Sequence, residues 1–423
     1  MTVKSDIGKG IKKSKPPSAR RLSKLLKTSY HELHSASKEN KFIIWASICA
    51  PVELFAGFED VVVAIPENHS AMSASKGAGV DLAQNAENLG FSMDLCSYAR
   101  IDLGTEFGGA AKSPVGGLPK PGLLLSDTNN CSLLVKWFDV YHRELEIPHF
   151  VIDAPFCYEY QKQKDKNYIL GQFKELITHV EEKTGQSFDL EKVRIALNNT
   201  DKVVRYWKEY LSLASHRPSP LTAFDTFAQM APFVIMRGRP EIVDHYKLLV
   251  EETKTKIEND DYPVPNEKYR LLWDNIAPWH QLRAMRNRMA EMNANIVHAT
   301  YTSCIGTIEG GFEYYAYDPS TDPLEHLART QNFSVCPYGL NLRFNAMSEI
   351  IDNIGVDGVV FASNRSCKVY SIMQMDLQQL ISEKYGIPTI MIDVDHADVR
   401  KYDEESVFLR IESLLELIDQ KRN

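Results

Sequence analysis

Seven short runs rich in β-branched and aromatic residues punctuate the chain: Phe42–Ala46, Val61–Ile65, Leu123–Leu125, Phe150–Ile152, Ile296–Ala299, Gly358–Phe361 and Thr389–Ile392. Each is followed by a loop and then a helical pattern, the rhythm of a parallel sheet covered by helices. The runs form an early and a late group. Between them, from Tyr158 to Met292, the chain reads as mostly helical. Apolar positions recur at the 3.6-residue period in Tyr168–Lys183, Leu190–Ala214, Pro240–Glu258 and Ile276–Met292, with Pro218 and Pro220 breaking the series. The pattern predicts an α/β fold of two lobes, each a parallel sheet flanked by helices, with a helical insertion. The expected divisions are a basic N-terminal arm and helix over 1–40, an N-terminal α/β lobe over 41–160, a mainly helical region over 161–290 and a C-terminal α/β lobe over 291–423. No short solenoid repeat is visible, although both lobes share the order strand, Cys-bearing loop, helix.

A chain of 423 residues exceeds one ordinary core, and 44% hydrophobic residues, 25% charged residues and 20 prolines describe a soluble globular protein. The formal charge of −8 argues against a general nucleic-acid surface and leaves room for a local basic pocket. No apolar run approaches the roughly 20 residues of a membrane span, and the opening MTVKSDIGKGIKKSKPPSARR lacks the apolar centre of a secretory signal. Asp6, Pro16 and Pro17 favour a solvated tail over an organellar presequence, so a cytoplasmic location is expected. Seven cysteines in such a chain argue against a disulfide framework.

The cysteine positions then carry the chemistry. Cys49 follows FIIWA, Cys131 follows LLLSDTNN, Cys157 follows FVIDAPF, Cys304 follows IVHATYTS and Cys367 follows VVFASNRS. Open α/β sheets bind ligands beyond the carboxyl ends of their strands, where these five lie. Cys131 and Cys367 also lead straight into helical runs, whose first amides and dipole favour a thiolate. The bland reading is that cysteine is a small residue tolerated at tight, buried strand ends. No CxxC or ferredoxin spacing is present, so spacing alone leaves both readings open.

The segments DLCSYARIDLG (Asp94–Gly104), DTNNCSLLVKWFD (Asp127–Asp139) and SNRSCKVYS (Ser363–Ser371) resemble the three cysteine motifs of the 2-hydroxyacyl-CoA dehydratase family, which includes related subunits of ATP-dependent benzoyl-CoA reductases. The likeness continues through WASICAPVEL, PENHSAMSA, EKYR near Lys268 and MIDVDHADVR, covering nearly the whole chain from Lys41. It implies two α/β lobes holding a 4Fe-4S cluster through three cysteines, here Cys96, Cys131 and Cys367. Three thiolates leave one iron open, as catalytic metal sites do. The resemblance further implies a hydro-lyase that eliminates water from an (R)-2-hydroxyacyl-CoA to give a 2-enoyl-CoA. The β-hydrogen is scarcely acidic, so the family adds one electron first. The resulting ketyl radical expels the α-hydroxyl, and deprotonation and return of the electron follow. The implied partners are the acyl-CoA substrate, a second dehydratase subunit in a heterodimer and an ATP-dependent iron-sulfur activator protein.

Among polar groups, Glu67 follows VVVAIP in a PENH segment that resembles the place of a glutamate beside the iron-bound ligand, where it would hold that ligand or accept a proton. The competing reading is a carboxylate capping a loop. Ser47 is the second candidate, on a loop where Ile48 and Cys49 compete for the same match to a family serine. His69, His298 and His396 near strand ends are read as structural. Asp393, Asp395 and Asp398 are grouped like divalent-metal ligands, yet in the resemblance they form an ordinary strand end and loop. Arg237 and Arg239 suit the phosphates of CoA, or equally a solvated surface. Cys49, Cys157, Cys304 and Cys336 lie outside the ligand set and keep open a double-cubane reductase of small molecules, beside a benzoyl-CoA reductase-type subunit. A non-catalytic electron-carrying subunit is the rival of another class. The acyl group is left open, because pocket side chains decide it.

Overall fold

The computed structural model describes residues 16–158, 161–305, 316–331 and 339–423. Cys336 lies outside them. Strands β1 (Phe42–Ala46), β2 (Val61–Ala64), β3 (Leu123–Asp127) and β4 (His149–Ile152) form one parallel sheet in the order β2-β1-β3-β4. Strands β5 (Tyr269–Asp274), β6 (Ala294–Ala299), β7 (Gly358–Asn364) and β8 (Thr389–Val394) form a second in the order β6-β5-β7-β8. Two α/β lobes with the same strand order are therefore present. In each sheet the order reverses between its first and third strands in sequence, which opens a crevice beyond the strand ends.

Period-2 alternation distributes the first sheet between two cores. Ile44, Leu123 and Leu125 pack with Phe173 and Leu176 of the helix Gln163–Thr184, whereas Ile43, Trp45 and Leu124 pack with Leu82, Phe138 and Tyr141 on the other face. The second sheet is buried between the C-terminal helix Glu404–Arg422, through Phe408, Ile411 and Leu414, and the middle helices, through Trp207 and Tyr246. Among the described residues no helix is long and apolar enough to cross a membrane.

Helices Gln163–Thr184, Leu190–Ser212 and Pro240–Glu258 occupy the places their periodicity predicts. The stretch from Tyr158 to Met292 is nevertheless not simply helical, because it contains the central strand β5. Arg270 breaks the apolar run there. It is fully buried, answered by Glu267 and by the carbonyls of Ala214, His216, Ile354 and Gly355. The helix expected over Ile276–Met292 is shortened to Leu282–Glu291. Asn275, at φ 101°, and Pro278 turn the preceding segment out of helical geometry and carry Trp279 toward the first lobe.

Candidate active site

The three motif cysteines share one local geometry. Cys96 precedes the helix Ser97–Gly108, Cys131 the helix Ser132–Leu145 and Cys367 the short helix Lys368–Ser371, and each is the N-cap residue. The Leu134 N–H donates to Cys131 Sγ at 3.3 Å, and first-turn amides of Tyr98, Ala99 and Tyr370 act likewise on Cys96 and Cys367. Such amides favour the thiolate. Burial works against it, pushing Cys131 up to about 12, Cys367 to about 11 and Cys96 higher still, and the Cys367 thiolate adds repulsion at both other sulfurs. A cationic group bound between them would favour the thiolate at all three.

These sulfurs line a single cavity of about 80 Å³ between the lobes, together with Glu67, Tyr98, Trp137, Tyr301, Tyr370 and His396. Among the described residues no group of three or more His, Cys, Asp or Glu is arranged to hold a metal ion. Three cysteine sulfurs are nonetheless the donor type that iron-sulfur groups take. The cavity wall is sewn across the lobes. Ser97 Oγ donates to Asp395 at 2.8 Å, Arg100 meets Asp398 at 2.9 Å and the Trp279 indole N–H donates to the Tyr98 hydroxyl.

Glu67 stands in the first turn of the helix Pro66–Ser75, which Pro66 opens, and not in a loop. Its Oε1 accepts the Ile48 N–H at 2.9 Å, while Oε2 is buried with no hydrogen-bond partner. Burial pushes the carboxyl up to about 8 against the pull of the Ile48 amide, with Asp127 and Asp102 adding to the rise. Glu67 also lines a second, longer cavity of about 540 Å³, and Ile48, Tyr98 and Tyr301 border both spaces.

The other candidates fall elsewhere. Ser47 is fully buried, its hydroxyl donating to Asp127, and it is Ile48 that reaches the cavity. Cys49, Cys157 and Cys304 are buried away from the cavity wall. His69 is held between Asp102 and Ser113, and His298 pairs with Ser303. Asp393 pairs with Arg365 at the surface, whereas Asp395 and Asp398 accept backbone and side-chain donors within their turn and from the first lobe. The two arginines suggested for CoA phosphates are occupied. Arg237 donates to the carbonyls of Ile48 and Ala50 and faces Glu53 at 3.6 Å, and Arg239 bridges Glu32 and Glu241. His396, read as structural from sequence, lies against Cys96 Sγ at 3.5 Å, anchored through Nδ1 to Asn364. The only signal for it was its place in the MIDVDHADVR segment. Tyr98, Trp137 and Tyr370 lie within the three cysteine motifs, their only signal, whereas Tyr301 carried none beyond its apolar bulk.

The chain matches the family model described as 2-hydroxyglutaryl-CoA dehydratase, D-component, over residues 47–418. It is 30% identical over 390 residues to the (R)-phenyllactyl-CoA dehydratase alpha subunit of Clostridium sporogenes, covering 92% of each chain. It is 29% identical over 404 residues to the (R)-2-hydroxyisocaproyl-CoA dehydratase alpha subunit of Clostridioides difficile, covering 95% of this chain and 96% of that one. It is also similar to a benzoyl-CoA reductase subunit of Thauera aromatica, at 27% identity over 374 residues and 86% of each chain. With a match over most of its length and relatives aligned nearly end to end, the chain belongs to the 2-hydroxyacyl-CoA dehydratase family.

Proposed function

We propose that this chain is the cluster-holding, substrate-binding subunit of a 2-hydroxyacyl-CoA dehydratase, which eliminates water from an (R)-2-hydroxyacyl-CoA to give the 2-enoyl-CoA. The observation that carries the reading is the convergence of Cys96, Cys131, Cys367 and Glu67, whose Oε2 has no hydrogen-bond partner, on one buried cavity. The reading includes a second subunit, an ATP-dependent activator that delivers one electron, and a ketyl-radical course for the substrate. A 4Fe-4S cluster held by the three thiolates supplies single-electron chemistry and Lewis acidity.

Glu67 supplies the proton chemistry. Burial raises its carboxyl to about 8, which favours the protonated form near pH 7. The Ile48 amide fixes Oε1, which leaves Oε2 to carry the proton. Oε2 gives that proton to the departing α-hydroxyl, which leaves as water, and the resulting carboxylate takes the β-proton. One proton is lent and one recovered, so the carboxyl ends the cycle as it began. Tyr98, Trp137, Tyr301 and Tyr370 exclude water from a reactive radical, and burial strengthens every polar contact inside.

A carrier subunit would have no use for a buried carboxyl with one oxygen left unpartnered beside its cluster. The three further cysteines among the described residues do not reach the cavity, which favours one cluster over a double cubane. The test is enoyl-CoA formation from (R)-phenyllactyl-CoA, (R)-2-hydroxyisocaproyl-CoA and (R)-lactyl-CoA by the anaerobic complex with partner and activator. Glu67→Gln should keep its iron and lose turnover by roughly 10²–10⁴-fold, the range of a missing general acid-base group. Wild-type complex that dehydrates none of these esters but reduces benzoyl-CoA would overturn the proposal.

A further inference from the structure

The long cavity has a chemically graded axis. At its inner end lie Glu67, Tyr98 and Tyr301, shared with the cysteine cavity. Much of the remaining wall is apolar, including Met72, Phe227, Met230 and Trp279. At its outer end the lining residues Ser23, Lys27, His31, Ser75 and Lys76 are exposed to solvent.

Two helices build this gradient by their periodicity. From Pro17–Lys38, residues 23, 27, 30, 31 and 34 project from one face, and from Pro66–Ser75, residues 67, 68, 71, 72 and 75 do the same. Glu67 sits in the first turn of the second helix and Lys76 is its C-cap. At 1.5 Å per residue the two are roughly 14 Å apart along the axis. Among the described residues, Glu67 is the sole acidic side chain in the lining, and neither Lys27 nor Lys76 has a carboxylate partner. Neighbouring cations such as Arg21, Arg239 and Lys112 are by contrast paired with Asp244, Glu32 and Asp81.

We propose that Lys27, Lys76 and His31 form the phosphate-binding mouth for the nucleotide end of a CoA thioester, and that the cavity behind them receives the pantetheine arm. The assignment rests on the reading that a CoA ester is the substrate and specifies which surface of this chain holds it. A CoA ester has the matching order of parts: anionic phosphates, a slender arm of methylenes and amides, then the thioester. The arm passes the apolar walls and delivers the thioester beside Glu67. The gradient also explains why Arg237 and Arg239 are not needed for CoA, since both are committed to other partners.

The experiment is calorimetric titration of the anaerobically purified complex with free CoA, 3′-dephospho-CoA and pantetheine at two salt concentrations. Reversing both charges in a Lys27→Glu, Lys76→Glu variant should weaken CoA at least tenfold, leave pantetheine unchanged and flatten the salt dependence. Lys27→Arg, Lys76→Arg should bind CoA within about threefold of wild type, charge being retained. Unchanged melting and iron content in both variants would confirm that the fold and the cysteine site are intact. If wild type binds CoA and the charge-reversed protein binds it equally, the mouth is misassigned while the dehydratase reading stands. If wild type binds no CoA at all, that reading falls first.

Discussion

At Glu67 one carboxyl oxygen rests on the Ile48 amide and the other has no partner, so burial is left to decide its protonation. With the folded pKa raised to about 8 from an unfolded value near 4.3, the folded chain holds the proton that the unfolded chain has released across that window. Stability therefore declines as pH rises from about 4 to 8, and the full cost persists above it. Glu67→Gln, neutral at every pH, should remove that cost and be more stable than wild type at pH 9, while the two converge at pH 4. Denaturant unfolding of both proteins across this range measures it, and parallel curves would show that Glu67 is ionised in the fold. A residue whose repair stabilises the chain and abolishes turnover is one kept for chemistry. Ser47 illustrates the opposite case. Its hydroxyl is committed to Asp127, so Ser47→Ala should act through that buried carboxyl, held up at about 6 mainly by its burial, rather than by direct loss of a ligand contact.

Among the elements, the helix Ser97–Gly108 and the turn after β8 carry the braces that join the lobes around the cysteines. Arg100 is fully buried and reaches Glu87 and Asp398, and Arg400 meets the same two carboxylates. Burial alone would raise Asp398, yet hydrogen bonds from Arg400 and Arg100 hold it down to about 2. Because that pKa lies below the unfolded value near 3.9, the contribution, on the order of 2 kcal/mol, is complete above pH 4 and lost as pH falls toward 2. Asp398→Asn should remove this acid limb, and Arg100→Met should cost about 1.5–3 kcal/mol, the loss of a charged hydrogen bond to Asp398 with Arg400 still in place; thermal melts at pH 3 and pH 7 read both. Seven of the eight strands were legible from β-branched runs, because parallel strands covered on both faces are continuously apolar. The eighth, β5, was hidden by Arg270, whose partners come from residues 54 to 87 positions away as well as from Glu267. Cys131 and Cys367 could be found from the strand-end rule, since each follows a strand and opens a helix. Cys96 could not. It follows the helix Gly79–Asn88 and a turn, so only likeness of its motif pointed to it.

On the scale of the whole molecule, two of the three cysteines come from the first lobe and one from the second, so any cluster they share is also a clasp. Cys96 and Cys131 cap helices beside the first sheet, whereas Cys367 caps the helix that follows β7. A group bound by the assembled site and not by the unfolded chain stabilises the fold in proportion to its affinity, and here that stabilisation acts across the lobe boundary. Protein prepared without oxygen should hold about four irons and four sulfides per chain. Cys96→Ser, Cys131→Ser and Cys367→Ser should each lower that content, while Cys49→Ser, Cys157→Ser and Cys304→Ser should leave it near wild type, because those thiols lie away from the cavity. Hydrogen exchange distinguishes a clasp from a mere occupant. Removal of iron should speed exchange first at the interlobe contacts around Ser97, Trp279 and Asp395, leaving strands β3 and β7 slow within their own cores. About eight irons per chain would instead recruit cysteines beyond these three and turn the reading to the double-cubane reductases. Iron retained in full by Cys367→Ser would confine the group to the first lobe and break the clasp altogether.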